Sequence, residues 1–217
     1  MICVADRLLK LALPFIVCCL TLSPSLARTP FGEGKDSRIV INEEDIATHT
    51  AETTHFNKQI LQPSFSWAPD RKLKWEDFMG PVDAADERTA AATHCGIGFE
   101  SEHDGTGQPV SIKVFNKFFP GTSWVKPGEL KSCILAHEQC HFDICELYTR
   151  ILRKKLNEAV AAKDVNVAVL KDIYNKVQED YATFQEMYEQ ETAHGTIANA
   201  QLMWEYKIAE ALKTTEI

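Results

Sequence analysis

None of the seven cysteines in this 217-residue chain is part of a C-x-x-C pair. Zinc sites closed by thiolates normally use that spacing, so a cysteine zinc site is not expected. The chain also lacks a long apolar run. The best stretch, Leu11 to Leu22, falls short of the roughly 20 residues a membrane-spanning helix needs. There is no excess of basic residues: 23 Lys and Arg face 31 Asp and Glu, a net charge of −8. No general attraction to nucleic acid or to anionic membranes follows from such a balance. Internal repeats and low-complexity tracts are absent too.

The N-terminus has the organisation of an export signal. Arg7 and Lys10 give a positive start, Leu11 to Leu22 a short apolar core, and Ser25-Leu26-Ala27 a small-x-small cleavage site. Residues 1–27 are therefore expected to be removed, leaving a periplasmic or secreted protein with no stable membrane anchor. Cys18 and Cys19 raise the question of a lipid anchor, but Val17 precedes Cys18 where a lipobox wants a small residue. The remaining 190 residues suit one domain with its own core. Residues 28–57 read as a loose N-terminal segment with a short strand at 38–42, and 58–217 as a single domain.

Four cysteines remain after such cleavage: Cys95, Cys133, Cys140 and Cys145. Export permits disulfides. On one helix, Cys133 and Cys140 would lie about 10 Å apart, too far to bridge. Cys140 and Cys145 would point about 140° apart around the axis. Any intramolecular bond is thus expected to use Cys95.

The first half of the chain reads as β and the second as helical, an α+β class. A strand is expected within 58–67. Trp75 and Phe78 precede the Gly80-Pro81 turn and read as core anchors. Residues 89–119 predict a β-hairpin. Thr93, Cys95, Ile97 and Phe99 alternate with His94, Gly96 and Gly98; Asp104-Gly105-Thr106-Gly107 supplies the turn; Val110, Ile112 and Val114 alternate on the return. The glycines leave room on one face for a close approach. Helices are expected from Pro127 to about Asn157, over 164–190, and onward to about Leu212 with a break near Gly195.

The first of these helices carries His137-Glu138-Gln139-Cys140-His141, an H-E-x-x-H motif. Histidines four apart lie one turn above each other, so both can reach one metal ion. A carboxylate between them can take a proton from water. At about 100° per residue, Leu130, Ile134, His137, His141, Cys145, Tyr148 and Leu152 share a stripe roughly 80° wide, so both histidines point inward. This pattern predicts one Zn2+ per chain, with Glu138 as general base rather than ligand.

A catalytic zinc usually has three protein ligands and leaves one position open. His194 is the leading third ligand, because His194, Ile197, Gln201, Trp204 and Ile208 form one stripe on helical geometry. Glu191 is its competitor. His49, His55, His94 and His103 read as bystanders. Tyr188 and Tyr206 are both candidates to stabilise an oxyanion, and an edge of the hairpin could hold an extended peptide by strand addition.

Three blocks of residues together resemble a known family. The first is His137 to Ile144, H-E-Q-C-H-F-D-I, with Glu146 and Arg150. Tyr188, Thr192, His194, Gly195, Gln201 and Trp204 make the second, and Leu73, Trp75, Asp77, Phe78 and Gly80 the third. They look like the bacterial domain of unknown function 922, described as predicted secreted zinc-dependent proteases. The resemblance spans roughly residues 60–212. It implies a zincin-like architecture, a protein or peptide substrate, and His137, His141 and His194 as ligands. Asp143 departs from the usual metalloprotease pattern, since zincin helices often carry an apolar residue there.

Two other function classes compete. Glu138-x-x-His141 and Glu191-x-x-His194 are paired E-x-x-H motifs, the signature of di-iron carboxylate bundles, which also need a glutamate from each of two further helices. A non-catalytic cell-envelope binding module would instead close the metal with a fourth ligand, for which Cys145 or Cys95 is available.

Overall fold

The structure is a computed structural model that describes residues 64–215, except 84, 87, 88, 105, 163 and 164, together with a two-residue strand at 39–40. The expected export signal, most of the loose segment and positions 58–63 lie outside the described residues. The architecture is α+β. Strand β1 is Ile39–Val40, β2 Ala91–Ala92, β3 Cys95–His103, β4 Pro109–Phe118 and β5 Trp124–Val125. Helix α1 is Ser132–Ala161, α2 Val167–Thr192 and α3 Ala198–Thr214. One sheet has the order β1-β3-β4 and the other pairs β2 with β5; all pairings are antiparallel.

The β3–β4 hairpin turns on Asp104, whose Oδ1 accepts hydrogen bonds from the Thr106 and Gln108 amides at 2.8 and 3.0 Å. Alternation holds along β3, where Ile97 and Phe99 are buried. On the return strand it shifts. Ser111 pairs with Glu102 and Pro109 with His103, so Val110 is the extra residue of a bulge and is exposed. The inward face of β4 is Val114, Asn116 and Phe118. The space expected over Gly98 is filled from within by the ring of Phe115, its cross-strand partner. The expected strand at 58–67 is represented by Phe65, which bridges to Phe118. Trp75 opens a single 3-10 turn and packs its ring 5.1 Å from that of buried Phe78.

Helix α1 is the centre of the molecule. The hairpin packs on one side of it, and α2 and α3 on the other. Phe142, Ile144, Cys145, Thr149, Leu152 and Leu156 are accordingly sealed from solvent around most of its circumference. The expected stripe holds from His137 onward, but Leu130 precedes the helix and is exposed. Helix α2 starts at Asn166, whose side chain accepts from the Ala168 and Val169 amides at 2.9 and 3.1 Å, satisfying donors the helix leaves open. It ends at Ala193, His194 and Gly195, three successive residues with left-handed φ values of 46°, 56° and 74°. Among the described residues no helix is long and apolar enough to cross a membrane.

Candidate metal centre

Two helices build the site. Helix α1 presents His137 and His141 one turn apart, with Nε2 atoms 3.2 Å from each other. Helix α2 presents Glu189, whose Oε1 lies 3.0 Å from His141 Nε2 and whose Oε2 lies 3.5 Å from His137 Nε2. The three donor atoms all lie within 4.8 Å of one another, close enough to hold a metal ion. All three side chains are largely buried.

Each imidazole is turned by a second residue. The Gln185 amide donates to the His141 carbonyl and the Tyr181 hydroxyl, which fixes its Oε1 toward His141 Nδ1 at 2.7 Å. Gln201 likewise donates to Glu205 and turns its Oε1 toward His137 Nδ1 at 3.1 Å. The Tyr188 hydroxyl accepts from that same Nδ1–H at 2.7 Å and donates to Gln201 Oε1 at 2.9 Å. Both rings therefore keep their N–H on Nδ1 and aim Nε2 at the cluster, the orientation outer partners impose on metal-binding histidines.

Two Nε2 lone pairs and a carboxylate then converge. Such a set is repulsive unless a proton or a cation lies between them. Burial pulls His141 down, but contact with Glu189 outweighs it and raises the imidazole to about 9. Burial pushes Glu189 up, but the His137, His141 and His194 imidazoles hold it well below the carboxylate range. Bonds of about 2.0–2.2 Å to a tetrahedral ion set ligand atoms roughly 3.3–3.6 Å apart. Of the observed separations, 3.5 Å falls in that range and 3.0 and 3.2 Å lie just below it.

Glu138 is also buried, and its Oε2 has no hydrogen-bond partner among the described residues. Its backbone carbonyl accepts from Thr93 Oγ1 at 3.2 Å, which ties the motif helix to the chain just before β3. A buried carboxylate oxygen without a partner, on a side chain near enough to help raise the His141 imidazole, fits a role in proton transfer.

His194 was expected as the third ligand; the group that the structure brings together, and that could hold a metal, is His137, His141 and Glu189, with His194 beside it. The expectation placed residue 194 in helical phase with Gln201, Trp204 and Ile208. The left-handed turn breaks that phase. Gln201, Trp204 and Ile208 are buried as expected, while His194 and Ile197 are exposed. His194 instead brings Nδ1 to 2.7 Å from Glu189 Oε2. The approach is not aligned as a hydrogen bond, so Oε2 remains unsatisfied. Glu191 is exposed and accepts from Trp204 Nε1 at 2.8 Å. The paired E-x-x-H arrangement therefore does not assemble here. A signal for Glu189 was present: Tyr181, Gln185, Tyr188, Glu189 and Thr192 share one helical face, which packs toward the motif helix.

The other candidates also have definite places. Tyr188 lies on the Nδ1 side of His137, away from the cluster, and Tyr206 is exposed on α3. Cys95 contacts the His141 backbone carbonyl at 3.9 Å, and neither it nor Cys145 joins the three metal donors. Gly195 lies against the His137 ring, where a Cβ would come within 2.9 Å of Cγ. Asp143 is explained by its partners. It accepts from Trp67 Nε1 at 2.6 Å and from Gln139 at 2.8 Å, while Gln139 Oε1 accepts from the Leu73 amide at 2.7 Å. A charge on the motif helix thus anchors the loop before Trp75.

A scan of protein-family models finds no match to this chain, and searches of curated proteins and of solved structures find none either.

Proposed function

We propose that this chain is an exported, zincin-like zinc metallopeptidase, in which His137, His141 and Glu189 hold the metal and Glu138 is the general base. The observation that supports it most is the convergence of two oriented Nε2 atoms and a carboxylate, the histidines lying on a helix that also buries Glu138, whose Oε2 has no partner among the described residues. Two histidines and a glutamate are a donor set used by catalytic zinc. Bound there, zinc would supply Lewis acidity toward a carbonyl and lower the pKa of water.

The chain's own residues do the rest. Glu138 accepts the proton of the attacking water and passes it to the leaving amide nitrogen, so the peptide ends as a carboxylate and an amine. Gln185, Gln201 and Tyr188 hold the rings in one tautomer throughout. His194, exposed beside Glu189, would be the imidazole that a bound substrate meets first. The protein or peptide substrate and the kinship to the family named above belong to the same proposal. So does export, with no role for nucleic acid and no stable membrane anchor after signal cleavage.

The test is metal analysis of the purified protein combined with a broad peptide-library digest. One zinc per chain and metal-dependent cleavage are expected. Full zinc with no cleavage would favour a metal-stabilised binding module, and two irons per chain a di-iron protein; either overturns the proposal.

A further inference from the structure

Cys95 and Cys145 meet at the motif helix one turn beyond His141, on the same helical face as the two histidines. Cys95 opens β3, and its Sγ lies 3.9 Å from the His141 carbonyl oxygen. Cys145 follows His141 by one helical turn, so its own amide is directed at that same oxygen. The two thiols are close enough to influence each other, and both face the Tyr181 hydroxyl, which stands 3.5 Å from Cys95 Sγ. Cys145 is sealed from solvent, whereas Cys95, at the start of the hairpin, keeps part of its surface exposed. The other two thiols are placed differently: Cys140 is buried toward Tyr188, and Cys133 lies in the first turn of α1.

We propose that Cys95 and Cys145 are a disulfide-forming pair that fastens the first residue of β3 to the motif helix one turn beyond His141. The oxidant is a small-molecule or protein disulfide. The Cys95 thiolate attacks one of its sulfurs, expelling a thiolate and leaving a mixed disulfide on Cys95. The Cys145 sulfur then displaces the second thiolate. Two S–H bonds are lost, one S–S bond forms, and two protons and two electrons leave on the reduced oxidant. The bond closes a loop of about 50 residues that contains the hairpin and the first half of α1, a loop length at which cross-linking restricts the unfolded chain substantially. The pairing does not depend on the metal or on peptidase activity.

The experiment uses the full chain, reduced and then incubated with millimolar oxidised glutathione. It is quenched in acid, alkylated under denaturing conditions and digested without reductant. The expected result is a linked pair of peptides containing Cys95 and Cys145, with Cys133 and Cys140 still fully alkylated. The melting temperature should rise by on the order of 5–10 °C over the reduced protein. Cys145→Ser should leave Cys95 as a glutathione adduct. Persistence of both thiols in the wild type overturns the proposal, as does linkage of Cys95 to any other cysteine.

Discussion

Glu189 meets three imidazoles, and its two oxygens have different partners. Oε1 faces His141, while Oε2 lies between His137 and His194. Removing it should abolish the cluster, whereas removing His194 takes away only an outer contact. Outer partners are typically worth about 10–100-fold in metal affinity. Glu189→Ala should therefore cost more than about 100-fold and His194→Ala no more than that, measured by competition with a chromophoric chelator. The reverse order would return the third position to His194. Protons follow from the same contacts. In the metal-free protein His141 is raised to about 9, so a proton must leave before a cation can take its place. Metal affinity should rise with pH up to about 9 and then level. Binding at pH 7–8 should release roughly one proton, readable by calorimetry in buffers of different ionisation enthalpy. The stability of the metal-free protein has the opposite sign: a raised His141 contributes fully below its unfolded value and loses that contribution as pH climbs toward 9.

At the scale of elements, the turn between α2 and α3 decides the site. Three left-handed residues in a row are costly for Ala193 and His194, at about 1–2 kcal/mol each. The turn sets Gly195 against the His137 ring and His194 beside Glu189. Gly195→Ala adds both a left-handed penalty and a clash with that ring. It should lower stability by about 1–3 kcal/mol in urea titration and weaken metal retention at the same time. Helix existence was legible from periodicity, as were the motif's inward direction and the hairpin. So was the break near Gly195. The consequence of the break was not. A stripe drawn through His194, Gln201 and Trp204 assumes one continuous helix, and a left-handed turn resets the phase without changing a letter of the pattern. Glu189 was legible only in principle, because its face of α2 is marked by Tyr181, Gln185 and Tyr188, none of which signals a metal on its own. Val110 was misplaced for a related reason: a one-residue bulge is invisible to strict alternation.

Across the whole molecule, polar side chains join the parts that apolar packing brings together. Asn116 of β4 donates to Glu146 of α1 at 2.5 Å, Arg150 donates to the same carboxylate at 2.7 Å, and Arg150 reaches the Leu212 carbonyl of α3 at 2.6 Å. Hairpin, motif helix and C-terminal helix thus share one network. Glu146 and Arg150 were visible as part of a motif block, but their partners, Asn116 thirty residues before Glu146 and Leu212 sixty-two after Arg150, were not. That frame holds three side chains that could bind a metal, His137, His141 and Glu189, together with buried Glu138, on which the proposed chemistry turns. Glu138→Gln keeps the shape and removes the proton acceptor. Metal content and peptide hydrolysis should be measured for this variant and the wild type in parallel. The account predicts unchanged zinc and a loss of turnover of about 10²–10⁴-fold. A Gln variant that cleaves as fast as wild type, or that loses its metal, would contradict it.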